Sequence, residues 1–264
     1  MTPTTLHAAS VGDDGPPVLL LHGLFGMGSN LGALARALAD SYRVYSLDLP
    51  DHGRSAWTDA SDLPRMAEAV HAWMRGGNIE RAHVVGHSLG GKVAMQLALA
   101  DAAAVASLVV ADIAPVAYAG SHEAVFAALA AVDAAAVRSR KEAGEILRRY
   151  LEEEGVVQFL LLSLAHEESG AWHWRFNRTG LESNYSAYLA APAATGPYPG
   201  PVLFLRGGRS PYVRDAHLAE IRRRFPAARL ETIHDCGHWL HAEEPETFNS
   251  LVRGFIDDGA EAAR

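Results

Sequence analysis

The stretch VVGHSLGGKVAM, Val84 to Met95, decides the fold, and it admits two readings that exclude each other. From Gly86 it runs G-x-x-x-x-G-K, one residue short of a phosphate-binding loop; from the same glycine it also runs G-x-S-x-G. The phosphate loop requires a hydroxyl directly after its lysine to ligate Mg²⁺, and Val93 follows Lys92. His87-Ser88-Leu89 is also bulkier than a loop that wraps phosphate with successive backbone N–H groups. The second reading fits at each position. A serine exposed on a sharp strand-to-helix turn needs small residues two places away on either side, and Gly86 and Gly90 supply them. The apolar run before it (RAHVV, 81–85) reads as a buried strand, and GKVAMQLALA after it reads as a helix. Strand, turn and helix together mark Ser88 as a nucleophile elbow.

The same alternation extends outward. PPVLLLHG (16–23) is an apolar run ending in a turn, and SNLGALARALAD reads as a helix with Ser29 as its N-cap. RVYSLDLPDHGRS is a strand running into a Pro/Gly-rich loop, followed by a helix over about Leu63–Arg75 and, beyond the elbow, by the strand VASLVVADIAP. Strands alternating with helices predict an α/β fold with a mostly parallel sheet covered on both faces. After Ala117 the pattern becomes helix after helix, with no strand evident between Ser121 and Leu189. It resumes at PGPVLFLRGG, with a helix near Val213–Phe225, the strand in ARLETIHDCGHW and a last helix. The expected organisation is a core of residues 1–117 and 193–264, with residues 118–192 inserted as a helical lid over the C-terminal ends of the strands, where open α/β sheets bind ligands.

Bulk properties narrow the function classes. With 49% hydrophobic and 20% charged residues the chain reads as an ordinary globular protein, and its net charge of −8 leaves no basic footprint for nucleic acid. No segment approaches the roughly 20 apolar residues of a membrane span, and MTPTTLHAASVGDDGPP lacks the basic and apolar regions of a signal peptide. The single cysteine, Cys236, excludes an internal disulfide. The expectation is a cytoplasmic protein without a nucleic-acid or membrane partner.

A serine hydroxyl needs a base to take its proton. Of thirteen histidines, His238 stands out because it follows the last apparent strand in a Gly-led loop; His234 and His241 rank behind it. The order Ser…Asp…His also matches one known arrangement of the triad. The loop after PVLFLRGG, where an orienting carboxylate is expected, carries Ser210 instead. Asp112, at the end of the strand after the elbow unit, is the preferred acid, with Asp215 as the alternative. The backbone N–H groups of Leu89 and of Leu24, in HGLFG, are the expected oxyanion donors, with Phe25 next to Leu24 as runner-up. His22 reads as structural.

HGLFG, DLPDHGRS, GHSLGGK, DIAP and GHWLHAEEPETF, in this order, resemble the α/β-hydrolase superfamily. DIAPVAY, EEGVVQFLL, WRFN and GGRSPYV resemble, more narrowly, the YbfF-type bacterial esterases. The resemblance spans about Pro16–Ile256. It implies the α/β-hydrolase fold with a helical lid inserted after the sixth strand, and a cofactor-free, metal-free enzyme acting on small-molecule acyl or aryl esters or thioesters, acyl-CoA included. It also implies that a serine in GGRSPYV is regular, which supports Asp112 as the acid.

Other chemistries share the expected triad. A C–C bond hydrolase or a perhydrolase would use Ser88, His238 and Asp112 in the same way, whereas a dehalogenase would need an aspartate at position 88. From a different class comes a non-catalytic protein that binds a ligand on a hydrolase scaffold, a reading prompted by Ser210 in the place of an acid. Phe25, Phe159, Trp174 and Tyr212 are the candidates for substrate contact, and the apolar insertion around them suggests an acyl or aryl group. For any single one of Phe126, Phe159, Leu162, Trp172, Trp174 and Tyr212, packing in the core is the plainer reading. Arg222–Arg224 could meet a CoA phosphate, although a solvated helix face is the plainer reading. Oligomeric state has no signature in the sequence.

Overall fold

A computed structural model describes residues 4–166, 170–194 and 196–261. In chain order the elements are β1 Ala8–Val11, β2 Pro17–Leu21, α1 Gly32–Leu38, β3 Arg43–Leu47, α2 Leu63–Gly76, β4 Ala82–His87, α3 Leu89–Ala100 and β5 Val105–Ala111. Then come α4 Glu123–Ala135, α5 Arg140–Leu147, α6 Glu154–Leu162, β6 Leu164–His166, β7 Trp172–Trp174 and α7 Arg178–Leu189. The chain closes with β8 Val202–Gly207, α8 Leu218–Arg224, β9 Ala228–Ile233, α9 Leu240–Glu243 and α10 Pro245–Glu261.

Seven strands form one sheet in the order β1-β3-β2-β4-β5-β8-β9. All neighbours run parallel except β1, which pairs antiparallel with β3 at the edge. The apolar runs are continuous because the central strands are buried on both faces, and alternate side chains serve different layers. Leu19, Leu21, Val84, Leu108 and Val110 pack with α2, α3 and the inserted helices. Val18, Leu20, Val85, Val109 and Leu203 pack with α1 and α10. Helix α3 is buried from Leu89 to Leu99, apolar on most sides and with Lys92 and Gln96 buried among the rest. At the start of α2 the Asp62 carboxylate accepts the Arg65 N–H at 2.8 Å, and Pro64 needs no donor in the first turn.

The chain leaves β2 toward β3 on one side and returns through β4 on the other. This reversal opens a crevice beyond the C-terminal ends of β2 and β4, the position where open parallel sheets take ligands. Residues after β2, β4, β5, β8 and β9 converge there.

Several local expectations need correction. The insertion follows the fifth strand of the chain, not the sixth: the N-terminal segment supplies one edge strand, β1, and then turns at Gly12 and Gly15, both at positive φ. The insertion also contains the small antiparallel hairpin β6–β7, whose three-residue strands are too short to give a periodic signal. Helix α1 starts at Gly32 after a 3₁₀ turn over Gly28–Leu31, so Ser29 lies inside that turn and caps nothing. Among the described residues no helix is long and apolar enough to cross a membrane.

Candidate active site

Ser88 sits between β4 and α3 at φ 53° and ψ −117°, a conformation that costs a non-glycine residue about 1–3 kcal/mol and persists only where its surroundings enforce it. The glycines explain how the turn closes. A Cβ on Gly86 would overlap the Gly90 carbonyl, and one on Gly90 would overlap the Leu21 carbonyl of β2. The Ser88 N–H donates to the Ala111 carbonyl at 3.0 Å, tying the elbow to β5. Lys92, the residue that suggested a phosphate loop, points the other way. Its buried ammonium donates to the carbonyls of Tyr188, Leu189 and Ala190 at 3.1, 2.8 and 2.7 Å, so it caps the C-terminus of α7 and clamps the insertion to the elbow helix. Burial brings its pKa down to about 7.

Asp112 and His238 meet although 126 residues separate them: His238 Nδ1 lies 2.7 Å from Asp112 Oδ2. A carboxylate only accepts, so Nδ1 carries the proton and Nε2 of the neutral ring is left with its lone pair. Asp112 is fully buried and turns off the end of β5 at φ 51°. Its Oδ1 accepts the Gly207 N–H at 3.1 Å, and its Oδ2 also accepts the Ser210 hydroxyl. The serine in GGRSPYV is therefore a donor to the buried acid. Asp215 stands elsewhere, its side chain 81% exposed and ion-paired with Arg206 at 2.7 Å. The His238 backbone is held in turn by buried His87, whose Nε2–H donates to the His238 carbonyl at 2.9 Å. Burial first, then the neighbouring imidazoles His241 and His238, hold His87 well below its ordinary pKa. His241 packs on the His87 ring at 4.5 Å, and burial lowers its pKa to about 4; His234 is exposed.

The loop after β2 is built on two neutral imidazoles. His22 accepts the Leu49 N–H at Nε2 (3.0 Å) and donates from Nδ1 to the Gly23 carbonyl (2.7 Å). His52 donates from Nδ1 to the Pro50 carbonyl (2.8 Å) and accepts the Phe25 N–H at Nε2 (3.2 Å). Burial lowers both pKa values, that of His52 to about 3. Phe25 adopts φ 63°, and its carbonyl accepts the hydroxyl of Ser163, at the end of α6, at 2.9 Å. The Phe25 N–H is taken by His52, whereas the Leu24 N–H beside it and the Leu89 N–H at the start of α3 have no acceptor among the described residues. His52 and Ser163 carried no signal in the sequence beyond the DLPDHGRS motif for the first, because both act through contacts remote in the chain.

Ser88, Leu24 and His238 line one cavity of about 700 Å³, with Phe25, Phe159 and Tyr212 also in its wall. The Tyr212 ring lies 4.2 Å from that of His238. Trp174 does not reach the cavity: it is 4% exposed and stacks on Phe176 at 5.5 Å inside the insertion, so its expected substrate contact is replaced by packing. Arg223 and Arg224 are ion-paired with Glu220 on α8, and neither lines this cavity.

A strained serine between strand and helix and a strand-end carboxylate holding an imidazole, both at a switch point of a mostly parallel sheet, are features of a class of hydrolase, and comparison with known proteins agrees. Residues 18–251 match the family described as the alpha/beta hydrolase family, and the chain belongs to it. Esterase YbfF of Escherichia coli is 37% identical over 243 residues, 92% of this chain and 93% of that protein. An sn-1-specific diacylglycerol lipase of Mus musculus is 37% identical over 91% of this chain and 81% of its own length. Among solved structures, one titled marine microorganism esterase superposes with a TM-score of 0.92 at 36% identity, covering 96% of this chain and 99% of that one. The protein is an enzyme of the carboxylic ester hydrolase class.

Proposed function

We propose that the protein hydrolyses carboxylic esters of small molecules through an acyl-enzyme on Ser88, with His238 as the base and Asp112 as the orienting acid. The observation that carries this reading is the His238–Asp112 hydrogen bond of 2.7 Å, which commits Nδ1–H and leaves Nε2 to take the Ser88 proton inside the cavity that both residues line. Ser88 Oγ attacks the acyl carbon and His238 receives its proton. The carbonyl oxygen gathers negative charge against the Leu24 and Leu89 N–H groups. The bond to the leaving oxygen, or sulfur in a thioester, then breaks as His238 returns the proton to it. Water repeats the sequence on the acyl-enzyme: it loses a proton to His238, the acid is released and the proton goes back to Ser88. Residues 118–192 act as the lid, since Val125, Phe159 and Leu160 from this segment wall the cavity. The Ser210 hydroxyl donated to Asp112 supports this reading over the non-catalytic one, because the carboxylate beside His238 comes from the end of β5.

Intact mass after exposure to a fluorophosphonate, with Ser88→Ala alongside, tests the reading. A single adduct that the variant lacks is expected; no adduct on folded protein would overturn it.

A further inference from the structure

His87 precedes Ser88 in the chain, and its ring borders both the loop after β2 and the loop that carries His238. It closes β4 on the face of the sheet that Val85 shares, since side chains two apart in a strand point the same way. That face packs its apolar residues against α1 and α10, and an imidazole buried there needs an acceptor for its N–H. The acceptor is 151 positions away: Nε2–H donates to the His238 carbonyl at 2.9 Å, and the two rings lie 4.8 Å apart. Nδ1 borders the loop after β2, where a Cβ on Gly23 would stand 3.1 Å from it and 3.3 Å from the Ser88 Cβ. The His241 ring, from α9, packs on His87 at 4.5 Å.

The bond to Asp112 fixes Nδ1 of His238 and leaves the ring free to swing about that one atom. Where Nε2 lies relative to Ser88 depends on how the backbone of the loop after β9 is held. Most of that loop is tied away from the nucleophile. The Gly237 and Trp239 N–H groups donate to the Glu243 carboxylate of α9 at 2.8 and 3.2 Å, and the Cys236 carbonyl accepts the Arg209 N–H at 3.0 Å. Among the described residues the hydrogen bond from His87 is the one that joins this loop to the elbow. Resting on the ester-hydrolase reading, we propose that His87 is a positioning residue: by tying the His238 carbonyl to the strand that ends at Ser88, it sets the separation of base and nucleophile. The chemistry suits an imidazole. Burial keeps His87 neutral, so it offers an N–H without placing a positive charge beside His238, which must itself become imidazolium in each proton transfer. A lysine or arginine could make the same bond only by opposing that charge, and an apolar residue would leave the carbonyl without a donor.

The test is kcat and KM on p-nitrophenyl butyrate for His87→Gln, His87→Asn and His87→Leu, with a melting curve and the rate of fluorophosphonate labelling for each. A glutamine amide nitrogen stands as many bonds from Cα as Nε2 does and keeps the donor. An asparagine nitrogen stops one bond short, near the place of Nδ1, and leucine has no donor. Displacing a reacting group by about 1 Å can cost about 10²-fold. His87→Asn and His87→Leu are therefore expected to lower kcat by about 10- to 100-fold with KM within about threefold, and His87→Gln to restore kcat to within about threefold of wild type. Labelling slows in the same proportion, since it needs Ser88 and its base but no particular substrate. If leucine in this buried place prevents folding, the comparison of His87→Gln with His87→Asn, one methylene apart, decides alone. Wild-type kcat in His87→Asn, equal losses in His87→Asn and His87→Gln, or a loss confined to KM overturns the proposal while leaving ester hydrolysis standing. Wild-type protein that neither cleaves the ester nor takes the label overturns the ester reading and this proposal with it.

Discussion

Ser163 reaches from the end of α6 to the carbonyl of Phe25, and its replacement by alanine isolates what the inserted helices contribute to catalysis. The hydroxyl is buried, 1% exposed, and donates at 2.9 Å to a peptide whose N–H is already held by His52 at 3.2 Å. Phe25 pays for its φ of 63° with backbone strain of about 1–3 kcal/mol, which these two hydrogen bonds offset. Removing the donor from a buried carbonyl costs about 1–3 kcal/mol. If that loss frees the loop to relax, each 1.4 kcal/mol reduces the competent arrangement of the Leu24 N–H about tenfold. The ceiling is the effect of losing one oxyanion donor altogether, about 10²–10³ in kcat. Ser163→Ala is therefore expected to lower kcat about tenfold with KM changed by less than about threefold, because an oxyanion donor acts in the transition state. Ser163→Thr, which keeps the hydroxyl, restores most of the rate. Steady-state kinetics on p-nitrophenyl butyrate with a melting curve for each variant provide the assay. A variant that melts earlier but turns over at the wild-type kcat, or one that loses only KM, refutes the linkage and reduces Ser163 to a packing contact.

Three further outcomes follow from the same geometry. Asp112→Asn is expected to reduce kcat by up to about 10⁴ with the fold retained, while Asp215→Asn, altering an exposed partner of Arg206, stays within about twofold of wild type; the reverse ranking would identify Asp215 as the acid. Lys92→Met strips the α7 terminus of its charged donor and leaves three carbonyls short of a partner, a loss on the order of 3 kcal/mol, read as a lower melting temperature and faster tryptic cleavage within residues 118–192; unchanged protection would show that the clamp is redundant. Finally, His52, His83 and His241 are held neutral by burial, at about 3, 4 and 4, whereas the unfolded chain binds their protons from about 6.5 downward. The unfolded state thus takes up protons first, so stability is full above pH 6.5 and falls as pH drops toward 4, by up to about 1.4 kcal/mol per pH unit for each group. Urea midpoints between pH 7 and 4.5 measure the slope, and His83→Gln should remove about one proton from it; a flat profile would contradict the burial argument.

What could be read from the chain alone divides by the distance over which the physics acts. The central strands were legible because parallel strands buried on both faces are continuous apolar runs, and the elbow was legible because Gly86 and Gly90 are demanded by backbone carbonyls a few ångströms away. Asp112 was readable as a strand-end residue, but its partner Ser210 was readable only as a missing acid, since the hydrogen bond that joins them spans 98 positions. Strand β1 escaped notice because its side chains are mostly exposed and supply no alternation. Trp174 was ambiguous for a related reason: an aromatic ring in an apolar insertion has the same sequence signature whether it faces a cavity or, as here, a neighbouring ring. Ser163 had no local signature at all, and its hydrogen bond reaches a residue 138 positions away.

Because the sheet carries Ser88, Asp112 and His238 beyond the ends of β4, β5 and β9, the insertion between β5 and β8 invites exchange as a cassette, a route to new selectivity by transplanting the segment from a relative. Two contacts set the terms of such a graft. A donor segment must bring a hydroxyl to the place of Ser163 and end its last helix over the Lys92 ammonium. Chimeras that satisfy only the ends of the cassette would fold around an orphaned cation and a slack loop, so the joint to respect in engineering this protein lies in these two hydrogen-bonded seams and not at the splice points.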